Sequence, residues 1–354
     1  MITPQSFDEY VGQPTAKQLL QTVLKNIRFT MKGLMGNGSE EEMKKAGLYM
    51  PPSFLIIGPP GYGKTRLSNL YAQALVKMAQ DDKWPVMKRP NVNYNQMVVN
   101  WAGPGDPSAP YYFASLEGKN IPDEKVLDSY LYFLQVQGVL FIDEFHTIPR
   151  KLQNHFLLLM QDHRFYSLIE NRLMDHYGFT LIGATTDEAK ISRPFRERFK
   201  LSVIMEPYTM EEQKEIIRQY ANKVKLNLGT GVLELLADRT RDCPRTIVQN
   251  MEMLEMVKNG QSNNIVTKTD ALEALKMRSI GPYGLMPKDV KILQILDEYK
   301  AVGVETLIEM LDFVNVQNYR VYERYLVERG YVMPTKPGRV ITNLGKKILK
   351  DMEK

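Results

Sequence analysis

The chain has 354 residues, 25% of them charged, with a formal net charge of +5 and a single cysteine, Cys243. That length accommodates about two or three domains, while one cysteine and four histidines exclude a disulfide framework and leave no Cys/His metal-ligand spacing. No apolar run is long enough to span a bilayer and the start has no signal-peptide pattern, so membrane insertion is excluded and a cytoplasmic protein is expected; the mild basicity suits a polyanionic partner without requiring one.

Up to about residue 207, short continuous apolar runs at 54–57, 139–142, 179–182 and 201–205 alternate with amphipathic helical patterns. Buried parallel strands between helices have this signature, and the fold class expected is α/β. Two stretches interrupt it. Residues 31–52 read as a Gly-rich, then charged, connection, and residues 84–122 collect Pro, Gly, Asn and aromatics without a period. The second is too long for an ordinary connection. Its Trp101, Tyr111, Tyr112 and Phe113 either lie on an extension that touches DNA or a partner, or pack against their own domain to anchor the loop.

From residue 208 the character becomes helical, with three-and-four spacing over 210–225, 231–239, 245–259 and 268–277, the last opened by a Thr269-Asp270 cap. Gly281-Pro282-Tyr283-Gly284 then breaks the chain. A third unit opens at 287–300 and ends in two short strands around a turn at 335–338, the layout of a winged helix. The domains expected are therefore 1–207, 208–280 and 281–354.

The chemistry concentrates at "GPPGYGKT", residues 58–65, between an apolar strand and a helix. Gly58, Gly63, Lys64 and Thr65 have the spacing of a phosphate-binding loop, in which Gly58, Pro59, Pro60, Gly61, Tyr62 and Gly63 curl backbone N–H groups around phosphate oxygens. Lys64 reaches the β- and γ-phosphates, and the Thr65 hydroxyl ligates Mg²⁺. The next apolar strand ends in Asp143-Glu144. Asp143 is placed to hold the metal through water, and Glu144 to orient and deprotonate an attacking water. Thr186 closes the following strand, where it either contacts the γ-phosphate or water, or simply caps. Arg198, in "RPFRERF", is expected to enter a neighbouring subunit's site as an arginine finger, with Arg196 the runner-up and a solvated surface arginine the bland reading. Arg245, in "CPRT", opens a helix and could report nucleotide state from the small unit.

Taken together, "FDEYVGQ", "GPPGYGKT", "LFIDEFHTIP", "FTLIGATTD", "PFRERF", "PYTMEE" and "CPRT" resemble, in order and nearly end to end, the AAA+ ATPases of the RuvB branch-migration family. The resemblance implies a P-loop AAA+ parallel-sheet domain, a helical lid and a C-terminal winged helix. It implies ATP and Mg²⁺ as cofactors, an adenine pocket lined by Tyr10 and Val11, and a second nucleotide contact at Tyr208, whose ring also suits a hinge. It further implies a homo-oligomeric ring, six subunits by resemblance, acting on duplex or branched DNA through Lys336 and Arg339 of the wing and a helix over 315–329. The chain departs from the family in several places: Arg66 follows the loop threonine, Pro334 stands where the family has an outer wing arginine, and the interval 161–178 is short and charged. The short interval argues against docking of a RuvA-type partner. An ATP-driven DNA motor is the leading reading. A nucleotide-controlled DNA-binding switch or loader, and a protein remodeller, are the alternatives.

Overall fold

The computed structural model describes residues 4–85, 111–162, 164–175, 178–258 and 265–352. The chain divides between Pro207 and Tyr208 into two compact units. In the first, α1 (Pro14–Met35) and α2 (Glu40–Leu48) precede β1 (Phe54–Ile57), followed by α3 (Lys64–Asp81), β2 (Tyr111–Glu117), α4 (Glu124–Phe133) and β3 (Leu134–Asp143). Then come α5 (Arg150–Asp162), β4 (Arg164–Ser167), β5 (Arg172–Asp175), β6 (Phe179–Thr185), α6 (Arg193–Arg196) and β7 (Leu201–Ile204). Five of these strands form one sheet in the order β2-β3-β6-β1-β7, every pair parallel. Each therefore ends on the same edge. Helices on both faces require apolar strands, and all seven residues of β6 are buried.

One expectation is corrected here, and two other stretches are resolved. The stretch 31–52 is largely helical, because α1 runs on to Met35 and Ser39 opens α2 with a capping box, accepting from the Glu42 N–H while Glu42 accepts from the Ser39 N–H. The stretch 84–122 supplies an edge strand, β2, and leads into α4, whose N-cap is Asp123. Phe113 is buried in that strand with Ala114 and Leu116, as the reading in which it packs against its own domain expects; Tyr111 and Tyr112 belong to the same strand, and Trp101 lies outside the described residues. The interval 161–178, although short, still closes as an antiparallel hairpin, β4–β5. Asp128 of α4 seats its turn, one carboxylate oxygen accepting from Leu168 N at 2.8 Å and Ile169 N at 3.0 Å.

The second unit contains α7 (Met210–Lys223), β8 (Asn227–Leu228), α8 (Val232–Ala237), α9 (Pro244–Lys258), β9 (Ile265–Val266) and α10 (Lys268–Met277). It continues with α11 (Pro287–Tyr299), α12 (Val304–Met310), α13 (Val316–Glu328), β10 (Val332–Pro334), β11 (Arg339–Ile341) and α14 (Asn343–Met352). Two hydrophobic clusters form its interior. One gathers Ile217, Leu236, Met251 and Leu275 from the first group of helices; the other gathers Leu293, Leu307, Leu326 and Ile348 from the second. The helix α10 is capped by Thr267, with Asp270 completing the box, rather than by the Thr269-Asp270 pair.

The wing closes through Thr335 N to Gly338 O at 2.7 Å and the return bond at 3.2 Å, and β11 is flanked on its other side by Val302. Gly338 has φ 153°, and a Cβ there would stand 2.5 Å from the Val302 carbonyl oxygen. No flexible side chain can yield at that contact. Gly338→Ala is therefore expected to loosen the wing by about 2 kcal/mol. Native-state hydrogen exchange of the full chain checks this: the amides of β10 and β11 should exchange faster, with those of α9 unchanged.

Candidate functional site

Strand β1 ends at Ile57, and the backbone turns at once: Gly58 N donates to Thr185 O at 3.1 Å, so the loop leaves the sheet beside the end of β6. Gly61 and Gly63 take φ of 82° and 93°, conformations costly for any residue with a Cβ, and Gly63 is the N-cap of α3. Lys64 is the first residue of α3, buried to 5% exposure, and its Nζ donates to Gly58 O at 2.9 Å and Pro59 O at 3.1 Å. The cation is thereby wrapped in the loop it follows. No residue of the first turn of α3 is itself acidic; the protein anion that meets this end of the helix is Asp143, bonded to Thr65. Pro59, Pro60 and Tyr62 complete the loop, and Arg66 is half-buried one residue after Thr65.

Strand β3 carries its carboxylates to the same edge. Thr65 Oγ1 donates to Asp143 Oδ2 at 3.1 Å, placing a hydroxyl and a carboxylate together as oxygen donors suited to a hard cation such as Mg²⁺. Glu144 follows with φ 45° and ψ 50°, a left-handed conformation that costs a non-glycine residue roughly 1–2 kcal/mol. The turn is over-determined. Glu144 N donates to Asp143 Oδ1 at 2.9 Å, while Thr147 N and Thr147 Oγ1 each donate to Glu144 O at 2.8 Å. Gly118 packs against this turn so closely that a Cβ would meet Glu144 O at 2.8 Å. Phe145 anchors it from below, its ring 5.0 Å from Phe195, 5.2 Å from Phe199 and 5.9 Å from Phe156 between centroids.

The Glu144 side chain is aimed by two groups. Thr186 Oγ1 donates to Glu144 Oε2 at 2.9 Å, and His146 Nδ1 lies 3.3 Å from the same oxygen and 3.0 Å from Thr185 Oγ1. Thr186 therefore does more than cap its strand. His146 is not among the residues the sequence singles out, although its place two residues after Glu144 in "DEFH" is an available signal. The Asp187 carboxyl lies below its usual range, chiefly because Lys190 hydrogen-bonds it.

Tyr10 is buried, and its hydroxyl donates to Gly63 O at 3.3 Å, tying the opening segment to the phosphate loop; Val11 is half-buried beside it. Arg198 is exposed, with the Gln161 amide, oxygen turned toward it, accepting from its Nε at 3.3 Å and Nη2 at 2.5 Å. Arg196 is instead half-buried and donates to Glu188 at 3.2 Å, which leaves Arg198 the better placed of the two for another molecule. In the second unit, Tyr208 is buried at its start and Arg245 is exposed on the first turn of α9. The wing departs from expectation. Lys336 is exposed at the turn, but Arg339 is held by Glu323 of α13 with only 25% of its side chain exposed, so its charge is met inside the unit. A cleft of about 780 Å³ between α4, α5 and the hairpin, lined by Leu127, His155, Phe165 and Leu173, lies on other residues than the phosphate loop.

Two family models match the chain: the Holliday junction DNA helicase RuvB P-loop domain over residues 114–205 and the RuvB C-terminal winged helix domain over residues 282–350. Among curated proteins, the Holliday junction branch migration complex subunit RuvB of Thermotoga maritima is 28% identical over 99% of this chain and 92% of its own length. That of Kosmotoga olearia is 27% identical over 96% and 87%. Among solved structures, a point mutant of Thermotoga maritima RuvB aligns with TM-score 0.74 and 25% identity over 99% of both chains.

The site's geometry separates binding from turnover. Lys64→Ala is expected to abolish nucleotide binding, and Glu144→Gln to preserve binding while lowering kcat by about 10²-fold or more. His146→Ala should bind nucleotide normally and lose about tenfold in kcat, since it aims the carboxylate without supplying it. Equilibrium binding and steady-state ATPase assays on the same preparations check all three.

Proposed function

We propose that this chain, which is a RuvB-family AAA+ protein, is an ATP-driven motor that moves branched duplex DNA as a ring of like subunits. The observation that carries the reading is the Asp143–Glu144 pair at the sheet edge beside Lys64 and Thr65, in a chain that ends in a winged helix. Its relatives are named for Holliday junction branch migration, which favours a motor over a switch or a protein remodeller. They are named as subunits of a complex, and the hairpin β4–β5, with Tyr166 and Leu173 exposed on one face, gives a companion protein a surface despite its short interval.

Bound ATP with Mg²⁺ supplies the phosphoryl electrophile and neutralises charge building on it. Lys64 brings a cation to the phosphates, and Thr65 and Asp143 are the oxygen donors for the metal. Glu144 accepts the proton of the attacking water, its carboxylate held by Thr186 and His146 in one rotamer. Arg198 completes the site of the adjoining subunit, meeting charge that develops only during transfer. Tyr208 and Arg245 carry the nucleotide state to the lid. A contact of this head-to-tail kind closes into a ring where the rotation per subunit closes, and runs on as a helix otherwise; six subunits close it in this reading.

ATPase activity measured without DNA and with single-stranded, duplex and four-way-junction DNA tests the reading, together with strand separation of the junction. Stimulation by the junction and ATP-dependent strand exchange are expected; stimulation without movement would return the switch. Arg198→Ala should bind ATP but hydrolyse it poorly, and mixing it with Lys64→Ala should restore activity, because each shared site needs one intact loop and one intact finger. Lys336→Ala should weaken binding to all sequences alike and reduce the slope of log affinity against log salt by roughly 0.9. An unchanged slope would remove Lys336 from the phosphate contacts.

A further inference from the structure

Residues 238–243 join α8 to α9, and Arg241 and Asp242 among them are both left-handed, with φ of 56° and 53°. Two consecutive strained residues persist only where surrounding contacts fix them. Those contacts come from the winged helix. Arg241 Nη1 donates to Asp289 Oδ2 at 2.5 Å and to Gly284 O at 3.1 Å, with its guanidinium 4.0 Å above the ring of Tyr325. Tyr325 in turn donates to Tyr283 O at 2.6 Å. Asp289 is fully buried and Arg241 is 10% exposed. Beside them, Asp242 Oδ1 accepts from Arg329 Nη2 at 3.0 Å and from Gln213 Nε2 at 2.9 Å, and the same Gln213 amide donates to Tyr208 O at 2.8 Å.

This cluster stands between the two features of the lid that face nucleotide in the proposed function. Tyr208 opens the lid and is bonded to it through Gln213; Arg245 lies three residues beyond Asp242, on the first turn of α9. The lid and winged helix have separate hydrophobic interiors. With apolar contact alone, one could swivel on the other at small cost. The buried, directional bonds forbid that, since rotation would leave Arg241 and Asp289 charged and unpaired away from water.

We infer that Arg241 and Asp242 are positioning residues that clamp the winged helix to the lid, so that movement of α9 driven by nucleotide is delivered to DNA. The inference rests on the motor reading for its purpose and on the clamp geometry for its mechanism. Neither residue is given a contact with nucleotide or DNA in the proposed function. Breaking the clamp therefore leaves hydrolysis running and wastes it.

The test compares wild type, Asp242→Ala and Asp242→Glu as full chains, measuring basal ATPase and the ATP consumed per junction resolved. Asp242→Ala should keep basal ATPase within about twofold of wild type and consume about fivefold or more ATP per junction. Asp242→Glu, which can still accept from Arg329, should restore most of the coupling. Equal ATP cost in wild type and Asp242→Ala overturns the inference, and so does parallel loss of basal ATPase, which marks a structural role only. If Asp242→Ala fails to fold, Arg329→Gln removes the same bond from the other side. Should wild type move no junction, the motor reading fails by itself. The clamp is then read by hydrogen exchange of α11 and α13 with a non-hydrolysable ATP analogue: exchange that responds to nucleotide in wild type and not in Asp242→Ala supports it, and no response in wild type overturns it.

Discussion

Strand β1, hydrogen-bonded between β6 and β7, is the constraint from which the first unit's chemistry follows. Its register pairs Ile57 with Thr185 on one side and with Ile204 on the other. The loop after Ile57 therefore leaves the sheet level with the end of β6, where Thr186 follows, while β3 on the far side of β6 delivers Asp143 to the same edge. Side chains alternate along a strand, so a slip of one residue would turn Asp143 or Thr185 to the other face. The contact is tight enough to prevent slippage: a Cβ on Gly58 would stand 2.6 Å from Met205 Cβ. Groups far apart in sequence meet because one short strand can occupy only one position.

The strained Glu144 turn extends that constraint away from the sheet. Phe145 is 1% exposed, and its contacts with Phe195 and Phe199 link the turn to the segment that carries Arg198. Burying such a ring stabilises the unit by roughly 2–3 kcal/mol, enough to offset the left-handed backbone beside it. Glu144 and the segment that carries Arg198 thus rest on one aromatic cluster. A shift at either is felt by the other through rings that have little free space to absorb it.

The sequence already revealed the phosphate loop, the acidic strand end, the lid helices and the wing turn, because each is written in a short local pattern. "GPPGYGKT" needs no distant residue to be read, and Pro337-Gly338 announces a turn by backbone preference alone. What escaped depends on partners far away in the chain. Strand β2 lacks a clean apolar run and is held by pairing with β3; the hairpin turn depends on Asp128, some forty residues before it. His146 is ordinary until Thr185, some forty residues on, is brought to it. Arg339 was legible as a cation but not as one answered by Glu323, since sequence spacing alone gives no side-chain direction. Helix α2 is the exception, for its Ser39-to-Glu42 capping box was local and went unread.

The hairpin β4–β5 has a consequence for behaviour in concentrated solution. A two-stranded ribbon exposes two unsatisfied edges, which are templates for edge-to-edge association between molecules. Here Phe165 and Met174 face inward as a cross-strand pair, Tyr166 and Leu173 face solvent as another, and the open end is closed by the Arg164–Asp175 ion pair at 3.0 Å. Arg172 adds a further exposed charge at the turn end. A neighbouring strand that paired there would have to bring its own backbone alongside these charges and desolvate them. The ribbon can therefore keep an apolar face in water while resisting growth into fibrils.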